Sequence, residues 1–102
     1  MKTKVIAEIS TYPVGEKGTS LSKFVKEAVK EIDKHPNIRV IHHPMGTVLE
    51  ADSIDIILDV TKVAHEAIFN AGASRVVTQL RIDDRRDKPR KMEDKLKAIE
   101  IE

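Results

Sequence analysis

From Lys4 to Tyr12 the side chains alternate, with Val5, Ala7, Ile9 and Thr11 on one side and Ile6, Glu8, Ser10 and Tyr12 on the other. A period of two marks a strand, and the first of these faces is plainly the buried one. Pro13-Val14-Gly15-Glu16-Lys17-Gly18 cannot extend it, because a proline and two glycines so close together make a loop. The period then changes. Leu21, Phe24, Val25, Ala28, Val29 and Ile32 recur at three- and four-residue spacing, which gathers them into one stripe of a helix capped by Thr19 or Ser20. Pro36 disfavours helical geometry at His35 and ends the helix there.

Ile38 to His43 is rich in β-branched residues and reads as a second strand, and Thr47 to Ala51 as a third. Between them Pro44 fixes φ for a tight turn, and Gly46 can take the positive φ that closes a hairpin. Asp52 or Ser53 caps a second helix whose apolar face is Ile54, Ile57, Leu58, Val60, Ala64, Ala67 and Ile68, stopped at Ala71-Gly72. Arg75 to Asp83 forms a fourth strand. After the charged turn Asp84-Arg85-Arg86-Asp87-Lys88-Pro89, Met92, Leu96 and Ile99 give a short amphipathic helix.

The chain is thus strand-helix-strand twice over, joined by a hairpin. Right-handed crossovers interleave two such halves into an antiparallel sheet ordered 4-1-3-2 with both helices on one face. The expectation is an α+β, ferredoxin-like βαββαβ fold with a short C-terminal helix, in a single domain spanning residues 1–102. Its other face carries no helix from the two halves. Ile6 and Ile41 fall there, and exposed apolar patches invite a partner. A homo-oligomer built on this face follows, with the last helix packed against a neighbour.

Composition narrows the function. Hydrophobic residues make up 40% of the chain but aromatic ones only 3%, so the core is aliphatic and thin, and self-association would help it. Charged residues reach 34% while the net charge is +1, so no dominating basic field exists to capture nucleic acid. The absence of cysteine removes disulfides, thiol nucleophiles and thiolate metal sites. The N-terminal segment holds no long apolar run, which predicts neither a signal peptide nor a spanning helix, hence a soluble cytoplasmic protein without membrane partners.

Four histidines draw attention. His42 and His43 are neighbours on a strand and point to opposite faces, so they cannot chelate one ion. His35 at a helix end and His65 beside Glu66 read as structural or surface residues. The mixed run from Arg81 to Arg90 reads as a solvated turn whose charges pair with one another or with a neighbouring subunit. No nucleophile with a paired base, no metal set and no cofactor motif is visible, so the expectation is a protein that is not an enzyme. Glu8, Ser10 and Tyr12 are more informative, because three polar groups on a central strand need partners. Two readings stand: another subunit supplies those partners, or the three line a pocket for a small polar heterocycle, with Tyr12 offering a ring face, Glu8 a carboxylate and Ser10 a hydroxyl.

Taken in order, Ala7-Glu8-Ile9-Ser10 with Pro13 and Gly15, Pro44-Met45-Gly46-Thr47 with Glu50, His65-Glu66-Ala67, and Arg81-Ile82-Asp83-Asp84-Arg85-Arg86-Asp87-Lys88 resemble the small thiamine-binding-protein family. The match runs through nearly the whole chain. It implies a ferredoxin-like domain that assembles into dimers of dimers and binds thiamine or its hydroxymethylpyrimidine portion, without a known reaction. The resemblance matches most strongly at Glu8, Ser10, Pro44, Met45, Gly46 and Thr47; with Tyr12 from the strand pattern and His43 beside the hairpin, the ligand-binding candidates are Glu8, Ser10, Tyr12, His43, Met45 and Thr47. The functional expectation is a carrier, buffer or sensor. The alternative is an oligomeric interaction or regulatory module whose assembly a small molecule tunes.

Overall fold

The computed structural model describes residues 2–100. Strands β1 (Val5–Pro13), β2 (Ile38–His43), β3 (Gly46–Ala51) and β4 (Val76–Asp84) form one antiparallel sheet in the order β2-β3-β1-β4. That is the expected order read from the opposite edge. Helices α1 (Ser22–Lys34) and α2 (Ile54–Asn70) cover one face, and α3 (Met92–Ala98) follows the charged turn.

Between the sheet and the two helices lies an aliphatic core. Ile9, Leu49, Ile57, Val60 and Ile68 are fully buried in it, each stabilising the fold by about 1.5–3 kcal/mol relative to an exposed side chain. Polar ties cross the same layer. Thr11 Oγ1 and Thr78 Oγ1 lie 2.6 Å apart, and His65 Nδ1 is 2.7 Å from Thr78 Oγ1, so α2 is fastened to the edge strand β4 and through it to β1. His65 also meets the Phe69 ring edge-on, with centroids 5.4 Å apart. His35 Nε2 reaches Asp59 Oδ2 at 3.0 Å and ties the end of α1 to α2.

Local chemistry moves some of the expected boundaries. Ser53 caps α2, its side chain accepting from the Ile56 N–H at 3.3 Å. Neither Thr19 nor Ser20 caps α1. The helix starts at Ser22 behind Leu21, whose carbonyl accepts from the N–H groups of Phe24 and Val25, so the first turn closes through the backbone without a side-chain cap. His35 leaves α1 with ψ 126°, as the following Pro36 requires.

Two expectations about the open face are corrected. Ile6 is only 8% exposed, and α3 fastens to its own chain's sheet instead of standing free for a neighbour. Glu50, opposite Ile6 on one side and Arg39 on the other, is 3% exposed. Its Oε1 accepts the Met92 N–H at 2.9 Å and its Oε2 accepts from Arg39 Nη1 at 2.6 Å. Arg39 in turn grips both oxygens of Glu93, at 2.9 and 2.8 Å. Lys95 pairs with Asp83 at the far side of the same face. A buried carboxylate thus seats a helix that buries only Met92. The rest of the charged run closes on itself, Arg85 on Asp87 and Arg86 on Asp84. Each guanidinium holds its carboxyl below the usual carboxylate range.

Candidate functional site

Strand lengths create the site. β1 pairs with β4 along its full length, from Val5 to Pro13, but with β3 only as far as Ile9, which faces Thr47. Beyond that point β3 has turned back through Pro44-Met45, so Ser10 to Pro13 present a backbone edge that no strand covers. Such an edge carries free N–H and C=O groups. α1 passes beside it, and the hairpin closes the other end. The space enclosed is a groove of about 400 Å³. Because it follows an edge, residues from both faces of β1 line it: Thr11 from the helix side, Ser10 and Tyr12 from the other. Val25, Val29 and Ile32 of α1 give it an apolar wall.

The hairpin explains itself in physical terms. Pro44 and Met45 are the central residues of the turn, the setting in which proline suits the second position and glycine the fourth. Gly46 has φ +159°, positive as the sequence reading expected though close to extended. Its role is close approach: a Cβ there would stand 2.8 Å from the Ile9 carbonyl oxygen and 3.6 Å from His43 Cε1. The glycine lets β3 pass against β1, with the His43 ring beside it.

His42 and His43 point to opposite faces and do different things. His42 pairs in register with Thr47 on the helix side. Its Nε2 lies 2.8 Å from Asp33 Oδ1 and its Nδ1 2.9 Å from Thr47 Oγ1. A carboxylate can only accept, so Nε2 carries the proton; in the neutral ring Nδ1 accepts from the threonine hydroxyl. His42 therefore clasps the C-terminal turn of α1 to the hairpin. On the other face, His43 Nδ1 accepts the Met45 N–H at 3.2 Å, which leaves the proton on Nε2. Glu8 Oε2 is 3.2 Å from that nitrogen, within ion-pair reach. It lies off the hydrogen-bonding direction, so Nε2 is a buried donor without an aligned acceptor.

Five of the six candidate residues, Ser10, Tyr12, His43, Met45 and Thr47, line the one groove. Met45 is 81% exposed at its mouth, and Thr47 is buried at its base. Glu8 stands outside. It joins through His43 and borders a neighbouring open-face trough of about 450 Å³ with Ser10, Gln79 and Arg81. Glu8, Tyr12 and Thr47 accordingly do not converge on one point, since Thr47 lies on the helix side with its hydroxyl held by His42. Sequence reasoning missed His42, Thr11 and the α1 wall as groove residues, and Gln79 and Arg81 as trough residues. The strand alternation already placed Gln79 and Arg81 on one face of β4; what was lacking was the register that sets them opposite Ser10 and Glu8.

Comparisons with known proteins agree with this architecture. A family model described as thiamine-binding protein matches residues 7–100. A UPF0045 protein of Methanothermobacter thermautotrophicus is 43% identical over 95 residues, covering 93% of this chain and 95% of that one. The crystal structure of a Methanocaldococcus jannaschii protein superposes with a TM-score of 0.85 at 45% identity, covering 97% of each chain. A Thermotoga maritima protein described as proposed to act in thiamine biosynthesis or salvage superposes with a TM-score of 0.77 at 25% identity, covering 95% of this chain and 99% of that one.

Proposed function

Because the chain belongs to the thiamine-binding protein family, we propose that it binds thiamine or its pyrimidine portion in the groove between α1 and the β2–β3 hairpin, without turning it over. The carrying observation is that five residues selected from sequence line this single groove. Its volume falls in the range of small-molecule sites, and it combines an apolar wall with a few placed polar groups. Tyr12 supplies a ring face for a cationic ring, while Ser10, the β1 edge and His43 supply hydrogen-bonding groups for an aminopyrimidine. The protein acts as a carrier, buffer or sensor in the cytoplasm. Calorimetric titration of the folded chain with thiamine tests the reading: saturable binding without product supports it, and no binding overturns it.

Self-association belongs to the same proposal. Ile41, Leu96 and Ile99 are 44%, 63% and 74% exposed, and apolar side chains of this size favour burial against a partner. The alternative, a regulatory module whose assembly the ligand tunes, differs in one measurable respect. Light scattering with and without thiamine would show a change of mass under that alternative and none for a simple carrier.

A further inference from the structure

We infer that the groove selects unphosphorylated, neutral or cationic heterocycles and turns away their phosphate esters. The inference rests on the binding reading above and specifies the ligand class. Carboxylates stand behind both histidines: Asp33 on His42 at 2.8 Å, and Glu8 beside His43 at 3.2 Å. Each favours positive charge and opposes a phosphate brought against the imidazole in front of it. Along α1 the groove follows Val25, Val29 and Ile32 toward the helix's C-terminal end, where the partial charge of the backbone is negative.

Among the described residues, no Lys or Arg lines the groove. Of the α1 lysines, Lys30 pairs with Glu27 and Lys34 with Glu31, and Lys26, exposed beside Val25, does not line the groove. Recognition of a phosphate calls for guanidinium or ammonium groups, or for the free N–H groups of a helix N-terminus. The groove offers instead an aromatic face, which suits a cationic ring, and the backbone and side-chain donors and acceptors of the β1 edge and the hairpin, without a guanidinium or ammonium among its lining residues.

The test is calorimetric titration of the full chain at neutral pH with thiamine, thiamine monophosphate and hydroxymethylpyrimidine, repeated with Asp33→Asn and Val25→Lys. Val25 is 38% exposed and accepts a lysine without opening the core, with Val25→Gln as the control for bulk. The monophosphate should bind at least about tenfold more weakly than thiamine, and Val25→Lys should narrow the gap several-fold where Val25→Gln does not. Equal or tighter binding of the monophosphate overturns the inference and leaves the binding reading standing. A gap that neither charge variant narrows also overturns it, since the selection would then have another cause. No heat from any of the three ligands with a folded chain overturns the inference and the binding reading together.

Discussion

Glu50 Oε1 accepts the backbone N–H of Met92 at 2.9 Å, so a carboxylate buried in the sheet holds a helix 42 residues further along the chain. The other oxygen meets Arg39, and the site is satisfied only while both partners are present. Glu50→Ala leaves a buried N–H without an acceptor and loosens α3 from the sheet, at a cost of about 2–4 kcal/mol. Glu50→Gln keeps an acceptor for Met92 and costs less. Urea unfolding of the two variants beside the parent checks the order.

Arg39 holds the Glu93 carboxyl below its ordinary value of 4.5, chiefly through their hydrogen bonds. A carboxyl whose folded-state value is depressed contributes stability that is complete above the unfolded value and lost as pH falls through the folded one. The parent should therefore lose more stability than Glu93→Gln between neutral pH and the acid limb below 4.5. Unfolding midpoints across that window should converge. A constant offset between the two proteins would contradict the assignment.

At Gly46 the constraint is backbone against backbone. Gly46→Ala puts a methyl 2.8 Å from the Ile9 carbonyl oxygen, and neither strand can move without breaking the ladder. The expected cost is about 1–3 kcal/mol. The His43 ring, 3.6 Å from the same methyl, is in ordinary contact with it and moves only as the turn moves. Thermal unfolding and the His43 imidazole signals in NMR report the two effects separately.

How much of this was legible in the sequence depends on what each feature rests on. Periodicity alone gave the element order, since Val5-Ala7-Ile9 and Phe24-Ala28-Ile32 each bury one face, as their spacing demands. The family resemblance, which the comparisons bear out, pointed to Ser10 and the hairpin residues Met45 and Thr47, the strand pattern pointed to Tyr12, and all four line one groove. The groove's shape was not legible, because it arises from β1 outrunning β3 and from α1 crossing the gap. Both are facts of register and packing. The seat of α3 was missed for a similar reason: Glu50 is a polar residue at a buried position, and only pairing with Arg39 and Met92, distant in sequence, makes that burial tolerable.

Tyr12 offers the sharpest test of where a ligand sits. It is the chain's only tyrosine, it lines the groove on the uncovered edge of β1, and it is half-buried, so its removal should leave the fold largely intact. Contact between an aromatic face and a cation is worth about 0.5–2 kcal/mol, or roughly two- to thirtyfold in affinity. Tyr12→Ala should weaken thiamine binding by about tenfold, with the circular dichroism spectrum unchanged. Tyr12→Phe keeps the ring and should lose less than about threefold. Hydroxymethylpyrimidine carries no cationic thiazolium, so its affinity should fall less than that of thiamine on Tyr12→Ala. Equal losses for both ligands would mean that the ring stacks on the pyrimidine instead. No loss for either would remove Tyr12 from the site and shift attention to the trough beside Glu8 and Arg81.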